Sequence, residues 1–149
     1  MKAIGLFFLF IAIFSGCNTD DSAVTPLPEG ISIETENGSY AMGDSVVLFL
    51  KNDTKYVLVL GYRCSFKNLE MYYQQKENDK WSGKKWFGYM TLKCMTIQSK
   101  VNDHSVLRHV FSSAEFKTSG TYRLLVPVYL SDKDSSIVIT SNSFVIEER

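Results

Sequence analysis

Six aromatic side chains crowd one stretch of this chain. Tyr72, Tyr73, Trp81, Trp86, Phe87 and Tyr89 fall within eighteen residues, interleaved with Lys76, Lys80, Lys84 and Lys85. Rings of this kind offer large, rigid contact area for stacking on sugars or for anchoring in a protein partner. Successive side chains of a strand point to opposite faces, so adjacent Tyr72 and Tyr73 cannot both enter one core, nor can Trp86 and Phe87. At least one of each pair is expected at the surface. The segment 76–89 therefore reads as a contact surface with Trp86 and Phe87 as its anchors, and the competing reading has one Trp filling the core and the other covering a loop.

Other chemistry is scarce. A metal site needs three or four convergent ligands, and the only histidines are His104, in a predicted turn, and His109, in a predicted strand. A serine nucleophile on a constrained turn would show Gly-x-Ser-x-Gly, which does not occur, and Ser82-Gly83-Lys84-Lys85 matches Ser-x-x-Lys without the companion motifs. No glycine-rich phosphate loop is present. The expectation is a chain without enzymatic activity, bound metal or cofactor. Sixteen Lys and Arg balance sixteen Asp and Glu, so there is no electrostatic case for nucleic acid.

The first residues speak to address. Met1-Lys2 precedes an apolar run from Ala3 to Phe14, then Ser15-Gly16-Cys17. One positive charge, a short apolar segment and small residues before a cut site make a secretory signal. Twelve apolar residues span about 18 Å as a helix, short of the roughly 30 Å hydrocarbon core. Phe14-Ser15-Gly16-Cys17 resembles the lipobox of bacterial lipoproteins, with Phe14 where those signals usually carry Leu. The resemblance implies cleavage before Cys17, lipid on Cys17, and a membrane partner through that lipid. Asp20-Asp21 and their polar neighbours resemble the acidic stretch of surface-exported lipoproteins of the Bacteroidota. The expected location is the cell envelope, anchored to the outer membrane, with surface display favoured over a periplasmic face.

With Cys17 assigned to lipid, Cys64 and Cys94 remain in an exported domain, where a disulfide between them is expected. Closing a loop of about thirty residues contributes roughly 3 to 4 kcal/mol in the chain-entropy model. A redox role would want the two thiols closer, as in Cys-x-x-Cys.

The elements that must position these residues read as strands. Residues 1–16 form the signal, and 17–30 hold the lipidated cysteine and a flexible linker containing Pro26 and Pro28. From residue 31 the pattern alternates, with strands predicted at 31–34, 45–51, 56–62, 68–76, 89–97, 105–112, 121–130 and 137–147. Seven or eight short strands, with turns about every ten residues, predict an all-β antiparallel sandwich over 31–149. Pro127 cannot donate to a ladder, so its strand is expected at an edge or with a bulge there.

Asn52, Cys64, Trp81, Cys94, the Gly120-Thr121-Tyr122-Arg123 turn and the closing Ser141-Asn142-Ser143-Phe144 segment together resemble bacterial Ig-like domains of small lipoproteins. The resemblance covers 31–148. It implies a fold and leaves activity open, because this scaffold hosts many functions. The layout is also similar to the Ig-like proteinase-inhibitor domains of Gram-positive bacteria, which share a central Trp and a Gly-x-Tyr turn. The favoured function is a lipid-anchored binding or adhesion module for a protein or glycan ligand. The alternatives are a proteinase inhibitor or an accessory subunit of an envelope complex.

Mass spectrometry of the mature protein is expected to place residue 17 at the N-terminus with diacyl or triacyl mass added. Cys17→Ser should release or block the precursor and leave the domain folded. A soluble, unlipidated product beginning elsewhere would overturn this processing.

Overall fold

A computed structural model describes residues 29–65, 67–88, 95–130 and 136–148. The signal segment, Cys17, the linker up to residue 28, Tyr89 and Cys94 lie outside the described residues.

Among the described residues the first six strands are β1 (Ile31–Thr35), β2 (Ser39–Ala41), β3 (Ser45–Asn52), β4 (Leu58–Arg63), β5 (Tyr72–Glu77) and β6 (Lys80–Trp81). The rest are β7 (Lys85–Trp86), β8 (Thr96–Val101), β9 (Ser105–Ser112), β10 (Gly120–Leu130), β11 (Ser136–Thr140) and β12 (Phe144–Glu147). One turn of 3-10 helix, Ser113–Phe116, follows β9. The fold is all-β. A smaller sheet in the order β1-β3-β9 packs against a larger one in the order β2-β12-β10-β4-β8, with β5, β6, β7 and β11 attached beside that path. Ile33, Val46, Leu48 and Leu50 from the small sheet meet Leu58, Leu60, Tyr122, Leu124 and Val126 from the large one in a single buried cluster, the interior of an Ig-like sandwich.

The expected seven or eight strands become more elements because three lanes are shared: one by β11 and β12, one by β4 and β5, and one by β6, β7 and β8, which flank β5 and β4 on the side away from β10. β11 and β12 both run antiparallel to β10, which registers Leu125 on Thr140 and Tyr122 on Phe144. Between them Ser141 bridges the interruption, its Oγ accepting from the Leu124 N–H at 2.9 Å while its own N–H donates to the Leu124 carbonyl at 2.9 Å. On the other side of β10, β4 pairs with its second half and β5 with its first. Counted as lanes, the sandwich has eight.

The hand-over from β4 to β5 corrects two expectations. The strand predicted at 68–76 begins at Tyr72, because residues 68–70 fold back on β4: Arg63 N–H donates to the Asn68 carbonyl at 2.8 Å and Glu70 N–H to the Gly61 carbonyl at 2.8 Å. Pro127 is not in an edge strand, since β10 is flanked on both sides. It falls where the register passes from Leu125↔Tyr72 to Val128↔Leu60, opposite no residue of either strand, so its missing donor leaves no ladder acceptor waiting on that side.

Two polar residues tie the sandwich. Tyr122 is fully buried and its hydroxyl donates to the Thr118 carbonyl at 2.8 Å. This closure at the start of β10 is the tyrosine corner of Ig-like sandwiches. Asn52, also fully buried, donates through Nδ2 to the carbonyls of Tyr56 (2.8 Å), Asn102 (2.9 Å) and Val101 (3.3 Å). Its Oδ1 accepts from the Thr54 hydroxyl at 2.7 Å. One side chain thus links the end of β3 to the β8-β9 turn.

Removing the Tyr122 hydroxyl takes away one buried bond, and Tyr122→Phe should cost about 1 to 2 kcal/mol. Asn52→Ala strands the buried Val101 carbonyl and removes the bonds to Tyr56, Asn102 and Thr54 at once, and should cost about 3 kcal/mol or more. Urea unfolding of the two variants checks the order, and an Asn52→Ala loss no larger than that of Tyr122→Phe would contradict the role given to Asn52.

Candidate functional site

β5 alternates about its pleat, and that alternation separates the aromatic cluster into two groups. Tyr73 turns inward and meets Phe87 at 6.4 Å, Phe116 at 5.6 Å and Tyr122 at 5.9 Å between ring centroids. Tyr72 turns outward. β7 pairs antiparallel with β5 so that Trp86 stands directly opposite Tyr72, and residues opposite one another share a face. Their rings lie 4.3 Å apart at a tilt of 40°. The next residue, Phe87, points the other way: its N–H donates to the Met71 carbonyl at 3.1 Å, and its ring packs on Phe111 at 4.7 Å and Phe116 at 5.2 Å.

Exposure follows the same division. Trp86 is 46% exposed and Phe87 6%. One of the pair is at the surface, as alternation requires, but the expectation that Phe87 serves beside Trp86 as a surface anchor is corrected: Phe87 is core. Tyr73 belongs with it, turned to the core side and only partly buried. The competing reading of a tryptophan in the core is corrected too. Trp86 is exposed and Trp81 half-buried on the outer side, while the centre is filled by Tyr122, Phe144, Phe116 and aliphatic residues.

Cations dress the outward rings. The Arg63 guanidinium sits 5.8 Å from the centre of the Trp86 ring, and the Lys84 ammonium 5.5 Å from that of Tyr72. Arg63 also reaches Glu70, Nη2 to Oε1 at 3.4 Å. Glu70 lies across Gly61, where a Cβ would come within 2.7 Å of its Oε2; only a glycine admits the carboxylate so close to the strand. Burial first, then Glu70 and Tyr129, push the Tyr72 phenol above its ordinary pKa, against an opposing pull from Arg63. It stays a neutral hydrogen-bonding group at pH 7.

One step along the strand, Arg123 from β10 registers on Gln74 and its Nε donates to Gln74 Oε1 at 2.8 Å. Its guanidinium stacks 4.3 Å from the centre of the Trp81 ring. Trp81 in turn stands opposite Lys76. Tyr72 with Trp86, then Gln74 with Arg123, then Lys76 with Trp81 form three successive rungs on one face, each about 7 Å from the next. Arg63, Glu70 and Gln74 were not singled out from sequence, and Arg123 was named only as part of the Gly120–Arg123 turn. For Arg123 a signal existed: once Tyr122 is placed in the core, its neighbour must face out.

A separate hollow of about 420 Å³ lies toward β9, floored by Leu69, Met71, Phe87 and Phe111, with Lys67 and Glu115 at its rim. His109 lines it, edge-on to Tyr62 and nearly parallel to Phe111, each at 6.2 Å. Burial pushes the imidazole below its ordinary pKa, so it is neutral at pH 7. Its near neighbours are rings, which do not make it a general base. Among the described residues no group of three His, Cys, Asp or Glu converges as metal ligands would.

No protein-family profile matches this chain, and no curated protein matches it. Among solved structures it is similar to the sporulation control protein Spo0M from Bacillus subtilis, with 10% identity and a TM-score of 0.37, covering 80% of this chain and 50% of that one. The chain thus spans half the length of Spo0M. It is also similar to the ASH / PapD-like domain of human CEP192 (PapD-like domain 7), with 14% identity and a TM-score of 0.34, covering 100% of this chain and 98% of that one. At these values neither likeness contributes a site or an activity to this chain.

Proposed function

We propose that this protein is a lipid-anchored envelope lipoprotein whose Ig-like domain holds a ligand on the outer face of its larger sheet, acting by binding and not by catalysis. The observation that carries the proposal is the outward stack of Trp86 on Tyr72, with Arg63 and Lys84 over its rings and Arg123 one rung along over Trp81. A sheet already packed on its inner face gains nothing for its core from a half-exposed tryptophan on the other. Such a ring among preorganised cations is the surface type that anchors ligands.

The expected Cys64–Cys94 bond fits this picture as a clamp beside the site. Cys64 directly follows β4, and its N–H donates to the Met95 carbonyl at 3.3 Å. The bond would hold the strand end that carries Arg63 without crossing the core. An anchor at Cys17 and a linker to residue 30 would let the domain present either sheet away from the membrane.

Photo-cross-linking on intact cells tests the proposal with the full chain. A photoreactive side chain at position 84 should give ligand adducts, and one at position 34, on the exposed side of β1 in the other sheet, should not. Trp86→Ala should reduce the adducts at 84 while costing about 1 kcal/mol of stability, whereas Phe87→Ala should cost about 3 to 5 kcal/mol. Adducts from position 34 alone, or equally from both positions, would overturn the assignment of the face.

A further inference from the structure

The outer face carries a charge sign as well as rings. By register and ring contacts Arg63, Lys76, Lys84 and Arg123 stand on this face with two carboxylates, Glu70 and Asp79, beside them, although the whole chain balances sixteen Lys or Arg against sixteen Asp or Glu. The opposite sign is therefore in excess elsewhere on the molecule. Both carboxylates are already engaged, Glu70 with Arg63 at 3.4 Å and Asp79 with Lys76 at 3.1 Å. Lys84 and Arg123 form no ion pair with a described carboxylate. The Nε of Arg63 is buried and has no hydrogen-bond partner among the described residues. An unsatisfied donor of that kind is costly to keep, and turning the guanidinium toward an incoming anion would satisfy it.

Resting on the binding face proposed above, the geometry points to an acidic polysaccharide as the ligand, its sugar rings stacked on Trp86 and Tyr72 and its carboxylate or sulfate groups held by Arg63, Lys84 and Arg123. The face is a track, not a socket. Ring pair, Gln74 with Arg123, and Lys76 with Trp81 succeed one another along β5, about 7 Å per rung, so that flat apolar surface alternates with positive charge in one line. An extended polymer whose units each present an apolar ring face and an anionic group matches that alternation. A neutral glycan would leave the cations idle. Arg123 is the specific element of the track, because its bond to Gln74 fixes the guanidinium plane and a planar, oriented guanidinium suits carboxylate and sulfate groups.

Affinity electrophoresis of the full chain in non-ionic detergent tests this, with polygalacturonate and dextran sulfate as anionic probes and dextran as the neutral one. The expected result is retardation by at least one polyanion and none by dextran. The dissociation constant for that polyanion should rise about tenfold or more in Trp86→Ala and about three- to tenfold in Arg123→Gln, with Trp86→Phe retaining most of the affinity. A response to polygalacturonate alone would name carboxylate as the recognised group, and to dextran sulfate alone, sulfate. Should Trp86→Ala fail to fold on thermal unfolding, Trp86→Phe and Arg123→Gln decide. Equal retardation by dextran would overturn the acidic class, and polyanion binding untouched by either substitution would reduce it to diffuse attraction by surface lysines. Absence of retardation would overturn the inference while leaving the binding face standing if position 84 still cross-links on cells.

Discussion

The eleven residues of β10 constrain nearly everything else in this molecule. β11 and β12 register along one edge of it, β4 and β5 along the other. Its alternation sends Tyr122, Leu124, Val126, Val128 and Leu130 into the core. The same alternation leaves Arg123 on the outer face and turns Tyr129 to partial exposure. Because side chains repeat every two residues, a slip of one position would bury Arg123 and expose Tyr122. Neither outcome is tolerable: the first leaves an unpaired charge in the interior, and the second opens the corner bond to Thr118. The register that makes the core also makes the outer face of rings and cations.

That register rests on an aromatic centre of a particular kind. Tyr122, Phe116, Phe144, Tyr73 and Phe87 pack mostly edge-to-face at 4.5 to 6.4 Å between centroids. Antibody-type domains place a tryptophan and an inter-sheet disulfide at this level, with the second cysteine two residues after the corner tyrosine. Here that position is Leu124, fully buried. Among the described residues the interior at this level is closed by rings and aliphatic side chains, and both tryptophans stand on the outer face.

Much of the fold was legible in the sequence, and the reason is alternation. The run from Ser45 to Lys51 and the pattern from Thr121 to Leu130 declare strands through their residues, and the Gly120-Thr121-Tyr122-Arg123 segment carries the resemblance to Ig-like domains. The site was half legible for the same reason: adjacency of Trp86 and Phe87 required one to face out. Which one did so depended on the register of β7 against β5, a long-range pairing that no local pattern encodes. Phe87 was therefore misassigned to the surface and Tyr73 with it. The fold-back of residues 68–70 on β4 was equally hidden, since Asn68 and Glu70 look like strand positions until the close approach of Glu70 to Gly61 is seen. Pro127 misled in the direction of an edge because a lane shared by two strands is a third way to accommodate a missing donor.

The chain has two tryptophans, and both stand on the cation-lined outer face of the large sheet, neither in the core. Tryptophan fluorescence quenching reads that claim directly. Emission close to that of a solvated indole is expected, with iodide quenching clearly more efficient than caesium at equal ionic strength, because Arg63, Lys84 and Arg123 concentrate anions there. Blue-shifted emission with weak quenching by both ions would place a tryptophan in the interior and contradict it.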